Sequence, residues 1–367
     1  MLNLWFRLCF RVFPPRRVRS ILLNVMLPIG DTLFTTPTIR ALRQHYPEAH
    51  IVALAFPTNA GILRGNPDID EIVLHPTGQT FTIPNYILFF LKMQRRHFTM
   101  AVEFRPYSWW LSVLCGVLRR LELSFPEYQW FFPIGGRPWK DRHAVESYAT
   151  AVAPLGIRVD TGSLVAPVLQ EARASLAAFL THEGVEHDER LIALHPGGEG
   201  FRGMKRWETA RFATLGDRLA AFYGARVVIV GGRDELTLAY EVSDAMARSP
   251  LVTNGRVSLS ETTALLERCI LFVGDDSAPL HIAAALGTPT VGVFGPTGVV
   301  NYKPLGPYVE VARSGLVCSP CFHFVGSQPV WASSHCRVPT CLHALGVGDV
   351  LEAARRAYNH KYVSVGD

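Results

Sequence analysis

Long apolar runs are missing from this sequence of 367 residues. Nowhere do the roughly 20 consecutive apolar residues of a bilayer-spanning helix occur. Charge is sparse, with 18% of residues Asp, Glu, Lys or Arg, and 36 basic against 31 acidic residues leave a net charge of only +5. So small and scattered a balance argues against a nucleic-acid-binding protein. Disorder is excluded as well, because 49% of residues are hydrophobic and 11% aromatic, and disordered chains are poor in both. Gly (30) and Pro (25) are near ordinary usage, which removes collagenous and low-complexity readings. There is no Asn-x-Ser/Thr sequon, which permits a cytoplasmic assignment. What remains is a chain long enough for two domains with sizeable cores.

The basic residues gather partly in residues 1–19, where Arg7 and Arg11 interrupt an apolar stretch and Arg16, Arg17 and Arg19 follow Pro14-Pro15. A signal peptide carries its charges before the apolar region and ends in small residues. Here the order is different, so secretion is not expected. On a helix Asn3, Arg7 and Arg11 align at four-residue spacing, with Leu4, Trp5, Leu8, Val12 and Phe13 on the other sides. Such a basic amphipathic segment suits an anionic membrane surface, the alternative being a helix packed on the protein body.

Short apolar runs alternate with amphipathic stretches, the pattern of an α/β chain with parallel sheets. Strands are predicted over 21–26, 51–56, 71–74 and 100–104, and helices over 36–45, 85–96, 109–118 and 143–155. A second series has strands over 191–195, 226–230, 271–274 and 290–293, and helices over 208–223, 235–248, 260–268 and 278–286. Residues 156–170, with Asp160, Gly162 and Pro167, read as the linker. Two doubly wound domains joined near residue 160 follow, with a ligand expected in a cleft between them.

Three clusters could carry chemistry. The first is Leu27-Pro-Ile-Gly-Asp-Thr-Leu-Phe-Thr-Thr-Pro37, straight after the first strand, where doubly wound sheets bind ligands. Gly30 permits a tight turn, and Asp31 is either the N-cap of the next helix or a carboxylate able to act as general base. The second is His195-Pro-Gly-Gly-Glu-Gly200 with Lys205-Arg-Trp207. Its glycines allow close backbone approach and Lys205 can neutralise phosphate. It lacks the Gly-Lys-Ser/Thr of a Walker loop and the Gly-x-Gly-x-x-Gly of a dinucleotide fingerprint; the alternative is an ordinary Gly-rich turn with a solvated lysine. In the third, residues 273–297, a strand ends at Gly274, Asp276 and Ser277 cap a helix, and His281 lies one turn in. The N–H groups and positive dipole end of that helix form an anion site suited to a diphosphate. Asp276 would oppose an anion, so its expected task is to fix the loop or a hydroxyl. His281 is either part of that site or a satisfied core histidine.

Together, "MLPIGDTLFTTPTIRALRQHYPEAHI", "LIALHPGG", "KRW", "VVIVGGRDE" and "GDDSAPLHIAAALGTPTVGVFGPT" resemble the ADP-heptose:lipopolysaccharide heptosyltransferases, glycosyltransferase family nine, from about residue 20 to 345. The resemblance implies a GT-B fold with two Rossmann-like doubly wound domains facing a central cleft. Residues 20–160 would form the acceptor-side domain and 161–345 the nucleotide-sugar domain, with 346–367 a C-terminal helix and tail. It implies an inverting transfer of heptose from an ADP-sugar to a glycolipid or glycan acceptor of the bacterial cell envelope. Membrane contact would be peripheral, at the inner face of the plasma membrane, and catalysis would require no cofactor.

By the same resemblance Asp31 matches the general base, with Gly30, Thr35 and Thr36 in the acceptor-side loop. Gly197, Gly198, Lys205, Glu235, Asp276, Ser277, Ala278 and His281 match the donor site, Lys205 contacting phosphate and Glu235 the ribose. The family commonly has Asn-Asp-Ser/Thr-Gly-Pro where this chain has Asp275-Asp276-Ser277-Ala278-Pro279. Ala278 adds a methyl where backbone should meet phosphate, and Asp275 adds negative charge. Extra residues around 200–204 precede Lys205. Two rival readings are another nucleotide-sugar used on a surface polysaccharide or protein, and a nucleotide-binding scaffold without catalysis.

Of the cysteines, Cys9, Cys115 and Cys269 sit in apolar contexts and read as buried thiols. Cys318-x-x-Cys321 and Cys336-x-x-x-x-Cys341 have the spacing of a tetrathiolate site, structural rather than catalytic because four ligands leave no open position. Zinc or iron would suit it; reduced, unligated thiols or a disulfide are the alternatives. The segment 324–334 between the pairs offers few other means of ordering itself. Arg95, Arg96, Arg105 and Lys140 could meet an anionic acceptor or form a solvated face.

Overall fold

The computed structural model describes residues 18–77, 82–104, 109–117, 120–122, 142–198, 203–325, 328–331, 336 and 338–363. The basic segment up to residue 17, Cys9, Arg105 and Lys140 lie outside them. The chain divides into two units, residues 1–165 with 325–327 and residues 166–324 with 328–367.

The N-terminal unit is built on β1 (Ser20–Asn24), α1 (Ile29–Phe34), α2 (Thr36–His45), β2 (His50–Ala55), β3 (Glu71–Leu74), α3 (Ile83–Gln94), β4 (Met100–Glu103), α4 (Trp109–Leu114), β5 (Arg120–Glu122) and α5 (Ala144–Ala149). Its parallel strands are ordered β3-β2-β1-β4-β5. Leu22, Val52, Leu54 and Ala101 face one side of this sheet and pack with Phe90 and Met93 of α3 and with Cys115. Burial on both faces is why β1, β2 and β4 read as largely apolar runs.

The C-terminal unit comprises α6 (Gln170–His182), β6 (Leu191–His195), α7 (Thr209–Tyr223), β7 (Arg226–Ile229), α8 (Leu236–Ala245), β8 (Leu251–Val252), α9 (Leu259–Arg268), β9 (Leu271–Asp275), α10 (Ala278–Ala285), β10 (Thr290–Val293), α11 (Val299–Tyr302), β11 (Val309–Ala312), β12 (Phe322–Val325), β13 (Gln328–Trp331), α12 (Thr340–His343) and α13 (Val347–Tyr362). Its main sheet, parallel throughout, is ordered β11-β10-β9-β6-β7-β8. Strand order reverses between β6 and β9, where His195 pairs in register with Gly274. Reversal of this kind opens a crevice beyond the strands' carboxyl ends, the usual ligand position in such sheets.

Several local expectations need correction. The stretch 27–35 is not a simple turn: Pro28 is the N-cap of the short helix α1, and Asp31 lies in its first turn rather than at a cap. Residue 170 begins α6, so the irregular linker stops before it. Phe322–Val325 and Gln328–Trp331 pair as a two-stranded ribbon, β12 with β13, where the sequence suggested little order. Among the described residues no helix is long and apolar enough to cross a membrane.

Candidate functional site

In the N-terminal unit the loop after β1 is fastened from below by Asn59. Its amide Nδ2 lies 2.7 Å from the Val25 carbonyl, 2.9 Å from the Leu27 carbonyl and 2.7 Å from Thr32 Oγ1. Thr35 and Thr36 are fully buried. Their hydroxyls donate to the carbonyls of Thr32 and Leu33, each at 2.7 Å, so these side chains hold the turn from inside the fold. Gly30 and Asp31 are partly exposed. The phenol of Tyr148, on α5, donates to Oδ1 of Asp31 at 2.9 Å. Sequence reading singled out neither Asn59 nor Tyr148.

In the C-terminal unit the donor-site candidates collect where β6 and β9 end. Lys205 Nζ lies 3.1 Å from Asp276 Oδ2 and 5.1 Å above the Phe322 ring. His281 Nε2 stands 3.6 Å from the other oxygen of Asp276. Burial raises the Asp276 carboxyl, but the Lys205 charge and then His281 outweigh it and hold the group ionised far below the usual range. Asp275 behaves oppositely: complete burial pushes its carboxyl well up, against the Trp207 N–H that it accepts at 3.2 Å. Ser277 is the N-cap of α10, yet its side chain makes no capping bond. Its hydroxyl lies instead 2.9 Å from His195 Nδ1 and 3.1 Å from the Asp275 carbonyl. Ala278 opens α10 and is partly exposed.

Glu235 comes in from the turn after β7. Its Oε2 is 3.2 Å from His195 Nε2 and accepts the Gly232 N–H at 3.0 Å. Burial opposes its charge, but His195 and the N–H groups of Gly232 and Gly198 bring the carboxyl down to about 2. The two glycines of the His-Pro-Gly-Gly loop make room for this. A Cβ at Gly197 would stand 2.2 Å from Glu235 Oε1, and Gly198 has φ +154°, a conformation open to glycine and strained for other residues. The sequence motifs therefore place Gly197, Gly198, Lys205, Glu235, Asp276, Ser277 and His281 around one end of one sheet. His195 is the member that sequence reading left without a role.

Cys115 and Cys269 are buried thiols, each pushed up to about 12, chiefly by burial. Of the other four, Cys321 and Cys341 are buried, Cys336 half-buried and Cys318 exposed. Burial and the neighbouring Cys341, Cys336 and Cys318 push Cys321 up to about 11. Among the described residues, no group of three or more His, Cys, Asp or Glu side chains is arranged to hold a metal ion. Arg96 is committed to a two-pronged pair with Glu71, at 2.6 and 2.7 Å, while Arg95 stays exposed.

Comparison with known proteins bears on the fold and the family. The chain is 27% identical over 288 residues to lipopolysaccharide heptosyltransferase 3 of Escherichia coli, covering 75% of this chain and 83% of that one. Its fold matches the glycosyl transferase family 9 structure from Veillonella parvula with a TM-score of 0.75 and 21% identity, over 93% of this chain and 97% of the other. It also matches the dodecameric iron-containing heptosyltransferase TibC in complex with ADP-D-beta-D-heptose, at TM-score 0.58 and 13% identity, over 94% and 77% of the two chains. These likenesses give the two parallel-sheet units the GT-B architecture. The family model for glycosyltransferase family 9 (heptosyltransferase) matches residues 124–331, and the chain belongs to that family.

Proposed function

We propose that this enzyme transfers heptose from ADP-heptose, with inversion, to a lipopolysaccharide-core or related cell-surface glycan acceptor. The observation that carries the donor half is the meeting of Lys205, Ser277 and the amino end of α10 at the carboxyl ends of β6 and β9. A cation, a hydroxyl and N–H groups fixed in advance are what stabilise charge growing on a departing diphosphate. Glu235 would take the ribose hydroxyls, acting as an acceptor of hydrogen bonds from within its glycine cradle. Asp276 serves to hold Lys205 and His281. Asp31, oriented by Tyr148, would draw the proton from the acceptor hydroxyl as that oxygen attacks the anomeric carbon. The lipopolysaccharide heptosyltransferase name of the E. coli relative and the ADP-heptose bound by TibC support this donor and acceptor. The test is calorimetry of ADP, UDP and GDP, followed by transfer of heptose to a lipopolysaccharide-core acceptor. ADP preference and product formation are expected; preference for UDP or GDP would overturn the heptose assignment.

The enzyme is also proposed to work at the inner membrane face. Besides the basic amphipathic segment at 1–19, α3 exposes Ile83, Ile87, Leu88 and Leu91, while its opposite side buries Phe90 and Met93. A helix apolar on both sides needs a cover on its outer face. Residues 83–97 contain no acid, and Lys92 and Arg95 are exposed at the helix's end, which suits anionic headgroups. Flotation with phosphatidylglycerol vesicles should carry the chain, and Ile87→Ser with Leu91→Ser should weaken it; no flotation would refute the assignment.

Cys318, Cys321, Cys336 and Cys341 are proposed as ligands of a structural zinc or iron ion. Their mutual effect on Cys321 supports proximity, sulfur is the donor both metals accept, and TibC is iron-containing. When bound, the ion would cross-link the segments around β12 and β13; it supplies no step of the transfer.

A further inference from the structure

His195 joins three segments of the C-terminal unit. It is 2% exposed, with Nε2 3.2 Å from Glu235 Oε2 and Nδ1 2.9 Å from Ser277 Oγ. Ser277 Oγ in turn lies 3.1 Å from the Asp275 carbonyl oxygen. The hydrogens can be counted. An ionised carboxylate only accepts, so the hydrogen in the first contact belongs to Nε2. A carbonyl oxygen only accepts, and the serine owns a single hydrogen. Without nucleotide the contact needs no second ring hydrogen, because the serine hydrogen can turn toward Nδ1 and leave the Asp275 carbonyl.

A diphosphate changes the count. Its oxygen is another acceptor competing for the one hydroxyl hydrogen. Once that hydrogen points to phosphate, Oγ and a bare Nδ1 oppose each other as two lone pairs in a part-buried contact. A hydrogen on Nδ1 removes the conflict.

We propose that His195 is a proton-coupled positioning residue: donor-nucleotide binding draws one proton from solvent onto Nδ1. The imidazolium then holds Ser277 with its hydroxyl aimed at phosphate and Glu235 in place for the nucleoside. No covalent bond changes; the serine keeps its hydrogen, and the proton gained by the histidine comes from buffer. The inference rests on the reading that Ser277 and the start of α10 receive the diphosphate.

The surrounding charges suit a cation there once the nucleotide is bound. Glu235 faces the ring from the turn before α8. From β9 and the turn before α10 come Asp275, whose carboxyl burial pushes well up, and Asp276, whose charge is met by Lys205 with His281 beside it. Lys205 and Arg206 come from the loop after β6. Glu235 is thus the counter-charge in direct contact, and the diphosphate adds more negative charge.

Titration calorimetry of ADP into the full-length protein, at pH 8 in HEPES and again in Tris, reads the proton directly. The two buffers release different heat per proton, so the wild type should show enthalpies that differ by up to one proton per ADP. His195→Gln, which cannot titrate, should lose the difference and bind ADP about tenfold more weakly, the scale of one hydrogen bond. Ser277→Ala should lose it too with His195 intact, which a merely packed histidine would not explain, whereas His281→Gln should keep it. Equal enthalpies in the wild type, or uptake that survives in either His195→Gln or Ser277→Ala while ADP still binds, would overturn the proposal. Absence of ADP binding to the wild type would overturn the nucleotide site itself, and this inference with it.

Discussion

Tyr148 donates its phenolic hydrogen to Oδ1 of Asp31 at 2.9 Å, across 117 positions of sequence. The bond ties α5 to α1 and fixes the carboxylate proposed as general base. Tyr148→Phe keeps the ring but removes this hydrogen bond to the carboxylate. It should lower kcat about tenfold with little change in KM for the nucleotide-sugar, the effect of one hydrogen bond. Asp31→Asn should cost about 10²–10⁴-fold in kcat while ADP still binds. Steady-state kinetics with calorimetry checks both; loss of ADP affinity in Asp31→Asn would place that carboxylate outside acceptor chemistry.

Lys205 and Asp276 form a largely buried pair, 14% and 7% exposed at the side chain. Lys205→Ala should therefore do two separable things. It should weaken ADP binding, and it should destabilise the unit by about 1.5–3 kcal/mol, the scale of a hydrogen bond to a charged group, because Asp276 is left buried without its main partner. Adding Asp276→Asn should recover most of the stability and none of the affinity. Melting curves and calorimetry on the single and double variants decide it; recovered affinity would show that Lys205 acts through the loop rather than on phosphate.

Glu235 and Asp275 should give pH dependences of opposite sign. Glu235 is brought from 4.5 down to about 2 in the fold. Its contribution, about 3 kcal/mol by linkage, is therefore present above about pH 4.5 and lost as pH falls toward 2. Denaturant unfolding should show the advantage of wild type over Glu235→Gln shrinking across that window. Asp275 is raised well above 3.8, so its fold-stabilising form is the neutral one and its cost grows as pH rises past that value. Asp275→Asn keeps an acceptor for the Trp207 N–H and should be more stable than wild type at neutral pH, the gap closing as pH falls toward 3.8. A gap independent of pH would contradict the buried-carboxyl account.

Much of this was legible in the chain, and the exceptions have physical causes. Strands 71–74, 191–195 and 290–293 and helix 36–45 coincide with the observed elements; for 191–195 and 290–293 the cause is burial on both faces, which writes strands as apolar runs ended by turn residues. Helix α1 was hidden by Pro28 and Gly30, which signal a turn, although proline is well suited to a helix start. The glycines and Asp-Asp-Ser signalled an anion site because backbone N–H groups need that chemistry locally. Tyr148, Asn59 and the bridging role of His195 were not legible, since their partners lie far away in sequence and are set by strand register, as in the pairing of His195 with Gly274. The outward face of α3 escaped for a different reason: apolar residues on every side of a helix read as core.

Metal removal tests the cysteine proposal. Cys321 is buried and held protonated, up to about 11, by burial and by the three neighbouring sulfurs. A divalent or trivalent cation reverses that logic, because it favours thiolates and repays the cost of gathering their charge. The protein purified without chelator should then contain about one zinc or iron per chain by elemental analysis. A strong chelator should lower its melting temperature, and readdition of the metal should restore it. Cys321→Ser should copy the chelated protein, whereas Cys269→Ser, which removes a thiol from the core rather than the cluster, should retain the metal. Since the ion is assigned to structure alone, ADP affinity should survive chelation wherever the fold does. Metal-free protein whose melting curve ignores the chelator would leave four reduced thiols beside a β-ribbon, and the raised Cys321 would be their resting state.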